Sequence, residues 1–140
     1  MDEFTVFRQP TLAQAYAGVG AEQPLAERSV YADTETRVVG TLDGDDGRVV
    51  YRRASKITIE PLVGFLQDVR TAYPDAERIS IIQDNWPVHI HPDVRVAVEP
   101  QETPFARTLP ASWATTPGAR AARKWWNLHL PIQLVPLPTY

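Results

Sequence analysis

The chain has 140 residues, a net charge of −3, 44% apolar and 22% charged residues, and no cysteine. The length suits one ordinary domain with a real core, the balance suits a soluble globular protein, and the lack of thiols excludes disulfides and thiolate metal sites. No apolar run approaches the roughly 18–20 residues of a membrane span, and Met1-Asp2-Glu3-Phe4 lacks the basic-then-apolar order of a signal peptide, so a cytoplasmic location without a membrane partner is expected.

Phe4-Thr5-Val6-Phe7 reads as a short strand directly after Asp2-Glu3. Strand periodicity is lost over 8–30. Thr36 to Leu42 and Arg48 to Arg53 are β-rich, and the Asp/Gly cluster 43–47 between them marks a hairpin. That acidic turn invites a calcium reading, but it lacks the later Glu and the helical flanks of an EF-hand loop. Leu62, Phe65, Leu66, Val69 and Tyr73 recur at helical spacing, with Thr58 placed to cap, Pro61 in the first turn and Pro74 as the stop.

Arg78 to Gln83 is the next strand, and it ends abruptly in Asp84-Asn85-Trp86-Pro87-Val88-His89. A carboxylate at the tip of a buried strand is rigidly held and faces solvent, as metal-assisted phosphate chemistry requires. Asp84 is equally a natural turn-former, and Asn85 either orients it or caps the turn. His89 and His91 would share a face if extended, but no third nitrogen or sulfur ligand lies near in sequence. His89 instead suits a hydrogen-bonding or phosphate-contacting role beside Asp84, or an ordinary surface position.

Residues 93–99 suit a short helix or a strand. Nine of the thirteen prolines lie from Pro87 onward, and 100–118 looks irregular. Ala119 to Leu128 has helical composition, and Ile132 to Val135 is a last short strand. The final forty residues carry Arg107, Arg120, Arg123 and Lys124 against Glu102 alone, whereas residues 1–100 hold 10 basic and 16 acidic side chains. Arg120, Arg123 and Lys124 beside Trp125-Trp126 suit either a solvated helix face or a nucleic-acid patch. The tryptophans themselves suit core anchors, or apolar surface that has lost its packing partner.

Taken together, Asp2-Glu3-Phe4, Arg37-Val38-Val39-Gly40-Thr41-Leu42-Asp43 with Gly47-Arg48-Val49, Leu62 through Tyr73-Pro74, Ile81 through His89, and Leu134 through Tyr140 resemble the catalytic domain of mariner-like bacterial insertion-sequence transposases, the DDE endonucleases. The similarity spans nearly the whole chain, with an irregular insert over about 100–128. It implies one partial domain of α/β class: a ribonuclease-H-like mixed sheet, hairpin plus parallel strands, with flanking helices and truncated at the C-terminus.

The resemblance also implies metal-dependent cleavage and strand transfer on DNA, at transposon ends and target. Two Mg²⁺ (or Mn²⁺) ions would be held by Asp2 and Asp84, with Asn85 and His89 in support. Glu3 alternates with Asp2 along its strand and is expected to face away. The family's third acid is expected past Tyr140, and its helix-turn-helix region before Met1. Impaired activity is therefore anticipated, with a non-catalytic remnant that binds DNA, itself or a full-length transposase as the alternative.

Overall fold

A computed structural model describes residues 1–7, 35–100, 111–112 and 114–138. The expected loop over 8–30 and part of the irregular insert lie outside these. The described elements are β1 (Asp2–Phe7), β2 (Glu35–Leu42), β3 (Val49–Ala54), α1 (Ile59–Ala72), β4 (Ile79–Gln83), α2 (Pro92–Arg95), α3 (Ala119–Trp125) and β5 (Ile132–Pro136). The fold is mixed α/β, with one antiparallel sheet in the order β1-β2-β3 and one parallel pair, β4-β5.

The hairpin forms where the Asp/Gly cluster lies. Asp43 N–H donates to the Arg48 carbonyl at 2.8 Å, and Gly47 takes φ +74°, a region that suits a residue without Cβ. The turn's carboxylates are used on backbone: Asp43 Oδ1 accepts from Asp45 N–H and Asp46 Oδ1 from Arg48 N–H. The Asp45 amide holds the Asp43 carboxyl below the usual range. This is turn chemistry, not a calcium loop.

α1 packs one apolar face onto the sheet. Leu62, Phe65, Leu66 and Val69 are fully buried with Val39 of β2, and the same cluster continues into Ile81, Ile132 and Leu134 of the parallel pair. Burial of each such side chain contributes about 1.5–3 kcal/mol. Thr58 occupies the N-cap position, but its side chain makes no capping bond there, so Pro61 and the apolar face define the start. Arg52 of β3 clamps α1 from the side, with Nε 2.7 Å from Asp68 Oδ2 and Nη2 donating to Asp68 Oδ1 and the Gly64 carbonyl. A Cβ on Gly64 would lie 2.9 Å from the Arg52 guanidinium carbon, so the missing side chain makes room for the clamp.

The opposite face of the antiparallel sheet is largely exposed among the described residues, with Val38 buried at its centre. Phe4, Val6, Leu42, Val49 and Tyr51 are exposed there. The two sheets meet where the amino group of Met1 donates to the Ile82 carbonyl near the end of β4.

Residues 93–99 are helix first and bridge second: α2 ends at Arg95, and Val98 then pairs in parallel with Leu130. The tryptophan pair does not anchor α3. Trp126 is exposed, Trp125 is half-buried under Lys124, and the buried residue of the helix is Ala121. No described helix is long and apolar enough to cross a membrane.

Phe65→Ala is expected to lower the unfolding free energy by about 3–5 kcal/mol, because Phe65 is fully buried. Ile82→Thr, at a position 61% exposed, is expected to cost less than about 0.5 kcal/mol. Urea midpoints at unchanged slope report both, and equal costs would contradict the assignment of the core.

Candidate metal centre

Two elements bring the site together. β1 supplies Glu3, which pairs with Val39 of β2 and so lies in the row that faces the core. The turn after β4 supplies Asp84 and His89. A carboxylate oxygen each from Glu3 and Asp84 and one ring nitrogen of His89 lie within 4.8 Å of one another. Among the described residues, this group could hold a metal ion.

Strand parity decides which acid of the Asp2-Glu3 pair takes part, and it reverses the expectation. Asp2 is exposed, pairs with Gly40, and uses Oδ1 to accept the Glu3 amide at 2.8 Å. Glu3, expected to face away, is the residue that reaches the strand tip.

His89 is the hinge of the cluster. Its ring is fully buried, while the side chains of Glu3 and Asp84 are 16% and 47% exposed. Nε2 bonds to Glu3 Oε1, and Nδ1 lies 2.8 Å from Asp84 Oδ1, at ion-pair distance but without hydrogen-bond alignment. Trp86 stands edge-on to the imidazole, with ring centroids 5.4 Å apart. Burial alone would pull the His89 pKa down. The Glu3 hydrogen bond and the charges of Glu3 and Asp84 outweigh it and raise the pKa above its ordinary value.

The turn fixes these positions. Trp86 N–H donates to Asp84 Oδ1 at 3.0 Å, and His89 N–H to the Trp86 carbonyl at 3.0 Å. Asp84 is thus a turn-former and a member of the cluster at once. Asn85 neither orients Asp84 nor caps its turn: Nδ2 donates to the Leu137 carbonyl at 2.8 Å, tying the exit of β4 to that of β5.

His91 does not pair with His89. Residues 87–90 form a turn, and His91 Nδ1 accepts the Asp93 amide as the cap of α2. The basic residues of α3 lie apart from the cluster. Lys124 bonds to Glu60 in the first turn of α1, and Arg123 Nε donates to the Ala119 carbonyl of its own helix at 3.3 Å. Arg120 is exposed and close enough to lower the Glu60 pKa further, after the larger effect of Lys124.

The donor set, two carboxylates and an imidazole, could hold a metal ion.

Because the His89 pKa is raised in the folded chain, its stabilising contribution is fully present below the unfolded value of about 6.5 and is lost as pH rises through the folded value. The metal-free protein is expected to lose thermal stability from pH 6 toward pH 8, and the His89→Gln variant to show a flatter profile over that window. Melting curves across the range check this, and parallel profiles would refute it. Comparison of the chain with protein-family models, curated proteins and solved structures gives no match.

Proposed function

We propose that the chain is a ribonuclease-H-like catalytic-domain piece of a DNA transposase, whose site acts on phosphodiesters with a divalent ion, Mg²⁺ or Mn²⁺. The observation that carries the reading is the meeting of Glu3 from the first strand and Asp84 from the tip of β4 around one buried imidazole. Two features of the fold support it. An antiparallel hairpin sheet is followed by a helix and a parallel pair, and the start of β1 bonds to the end of β4. That bond puts the two separate sheets side by side at β1 and β4, a neighbourhood that a ribonuclease-H-like sheet would also require.

Asp84 is half-exposed and is the acid that incoming substrate meets first. Glu3 is more enclosed and holds the imidazole from its far side. His89 is sealed from solvent and contacts both carboxylates, so it fixes their positions and keeps a ring nitrogen beside each of them. A divalent ion bound there supplies Lewis-acid polarisation of a phosphoryl oxygen and a water of lowered pKa. Arg120 and Arg123 on α3 offer phosphate contacts; Lys124 is the weakest of the three candidates because Glu60 already binds it.

A second reading, DNA or transposase binding without cleavage, is favoured by one observation: two carboxylates, not three, converge among the described residues.

Incubation of the purified chain with supercoiled plasmid and with duplexes bearing candidate element ends, under Mg²⁺ or Mn²⁺, separates the readings. Slow nicking is expected, dependent on the ion and lost in Asp84→Ala, together with duplex binding that weakens with salt and in an Arg120→Ala/Arg123→Ala double variant. Binding without nicking leaves the second reading. Neither binding nor nicking rejects both.

A further inference from the structure

We infer that this site takes a single transition-metal ion, with Asp84 and Nδ1 of His89 as its protein ligands and Glu3 as the acceptor that fixes the imidazole's orientation. The inference rests on the reading of the cluster as a metal centre. It departs from the two-magnesium arrangement that the family resemblance implies.

Tautomer logic leads there. An ionised Glu3 can only accept, so His89 Nε2 carries the hydrogen of their bond. The neutral ring then presents a lone pair at Nδ1. That atom is buried, has no aligned hydrogen-bond partner, and lies 2.8 Å from an Asp84 carboxylate oxygen. A buried lone pair held against a half-exposed carboxylate is unfavourable unless a cation, a proton or a metal bound by both atoms from the open side, offsets the repulsion. Asp84 is also the more open of the two acids, so its side of the ring is the accessible one.

The resulting chain runs from carboxylate to imidazole to ion. A ligating histidine commonly donates its other N–H to a carboxylate, which sets ring orientation and raises ligand basicity. Glu3 has that place. Imidazole is a donor for ions such as Co²⁺ and Zn²⁺, whereas Mg²⁺ prefers hard oxygens in near-ideal octahedral geometry and keeps its waters. One nitrogen and one carboxylate on a rigid turn, with the remaining positions open, fit the first class.

The probe is Co²⁺, with Mg²⁺ in parallel, titrated calorimetrically into the metal-free chain. In addition, ¹⁵N-histidine-labelled protein is followed by NMR for hyperfine-shifted imidazole resonances. One Co²⁺ per chain is expected, with strongly shifted resonances from a single histidine. His89→Gln is expected to weaken Co²⁺ at least about tenfold while changing Mg²⁺ less than about twofold, and Glu3→Gln to weaken Co²⁺ about tenfold. Asp84→Asn is expected to abolish Co²⁺ binding. The direct test is on the unsubstituted chain, so it stands even if His89→Gln fails to fold.

Co²⁺ bound without a shifted imidazole, two ions per chain, or equal losses of Co²⁺ and Mg²⁺ in His89→Gln would overturn the inference, as would no binding at all. The functional reading fails separately. A nitrogen-bound ion in a chain that neither binds nor nicks DNA leaves the metal assignment intact and removes the transposase. Mg²⁺-supported nicking without a metal-bound imidazole does the reverse.

Discussion

A buried imidazole held between two carboxylates organises this molecule. Glu3 lies on the first strand and Asp84 just beyond the fourth, far apart in sequence, and those two strands belong to different sheets. His89 contacts both acids from inside the protein, so the first strand and the turn after β4 are joined through one ring. Among the described residues, the backbone adds one bond at the same junction, from Met1 to Ile82. Removing the ring would leave two acids facing one another across a partly dry gap, a charge arrangement that proteins avoid without a compensating cation. The position of β1, the shape of the Asp84 turn and the chemistry of the site therefore share one cause.

The shared core makes this junction possible. α1 lies across the antiparallel sheet, and its buried face is continuous with Ile81, Ile132 and Leu134 of the parallel pair. Two sheets that hardly exchange hydrogen bonds are thus held by common apolar packing, and the polar junction sits at its margin. Buried apolar area sets where the elements lie, and the ion pairs set which side chains meet.

Much of the fold was legible in the sequence because its signals are local. The period of Leu62, Phe65, Leu66 and Val69 gives α1, the Asp/Gly cluster gives the hairpin, and the run ending at Gln83 gives β4. Asp84 could be read as a strand-tip acid for the same reason. The choice between Asp2 and Glu3 could not. Asp2 was singled out by the resemblance of Asp2-Glu3-Phe4 to an acidic motif, and alternation then put Glu3 on the other face. Both faces of this sheet carry apolar residues, and only pairing with Val39 fixes the parity. His89 was legible as a neighbour of Asp84, but its link to Glu3 is a long-range contact that spacing does not encode. The partner of Asn85 is equally remote in sequence, since the Leu137 carbonyl lies just past the end of β5.

The bridge between Val98 and Leu130 joins the chain just after α2 to the chain just before β5. Glu99 N–H donates to the Leu130 carbonyl and Leu130 N–H to the Ala97 carbonyl, both at 3.0 Å. The described part of the segment that follows is held at further points, where Gly118 N–H donates to Asp93 Oδ1 and Lys124 of α3 bonds to Glu60 of α1. Once such a bridge is fixed, the entropy of a longer loop grows only slowly, about 0.6 kcal/mol for each doubling of length. The bridge therefore fixes where β5 begins beside β4, whatever length of chain lies between its two ends.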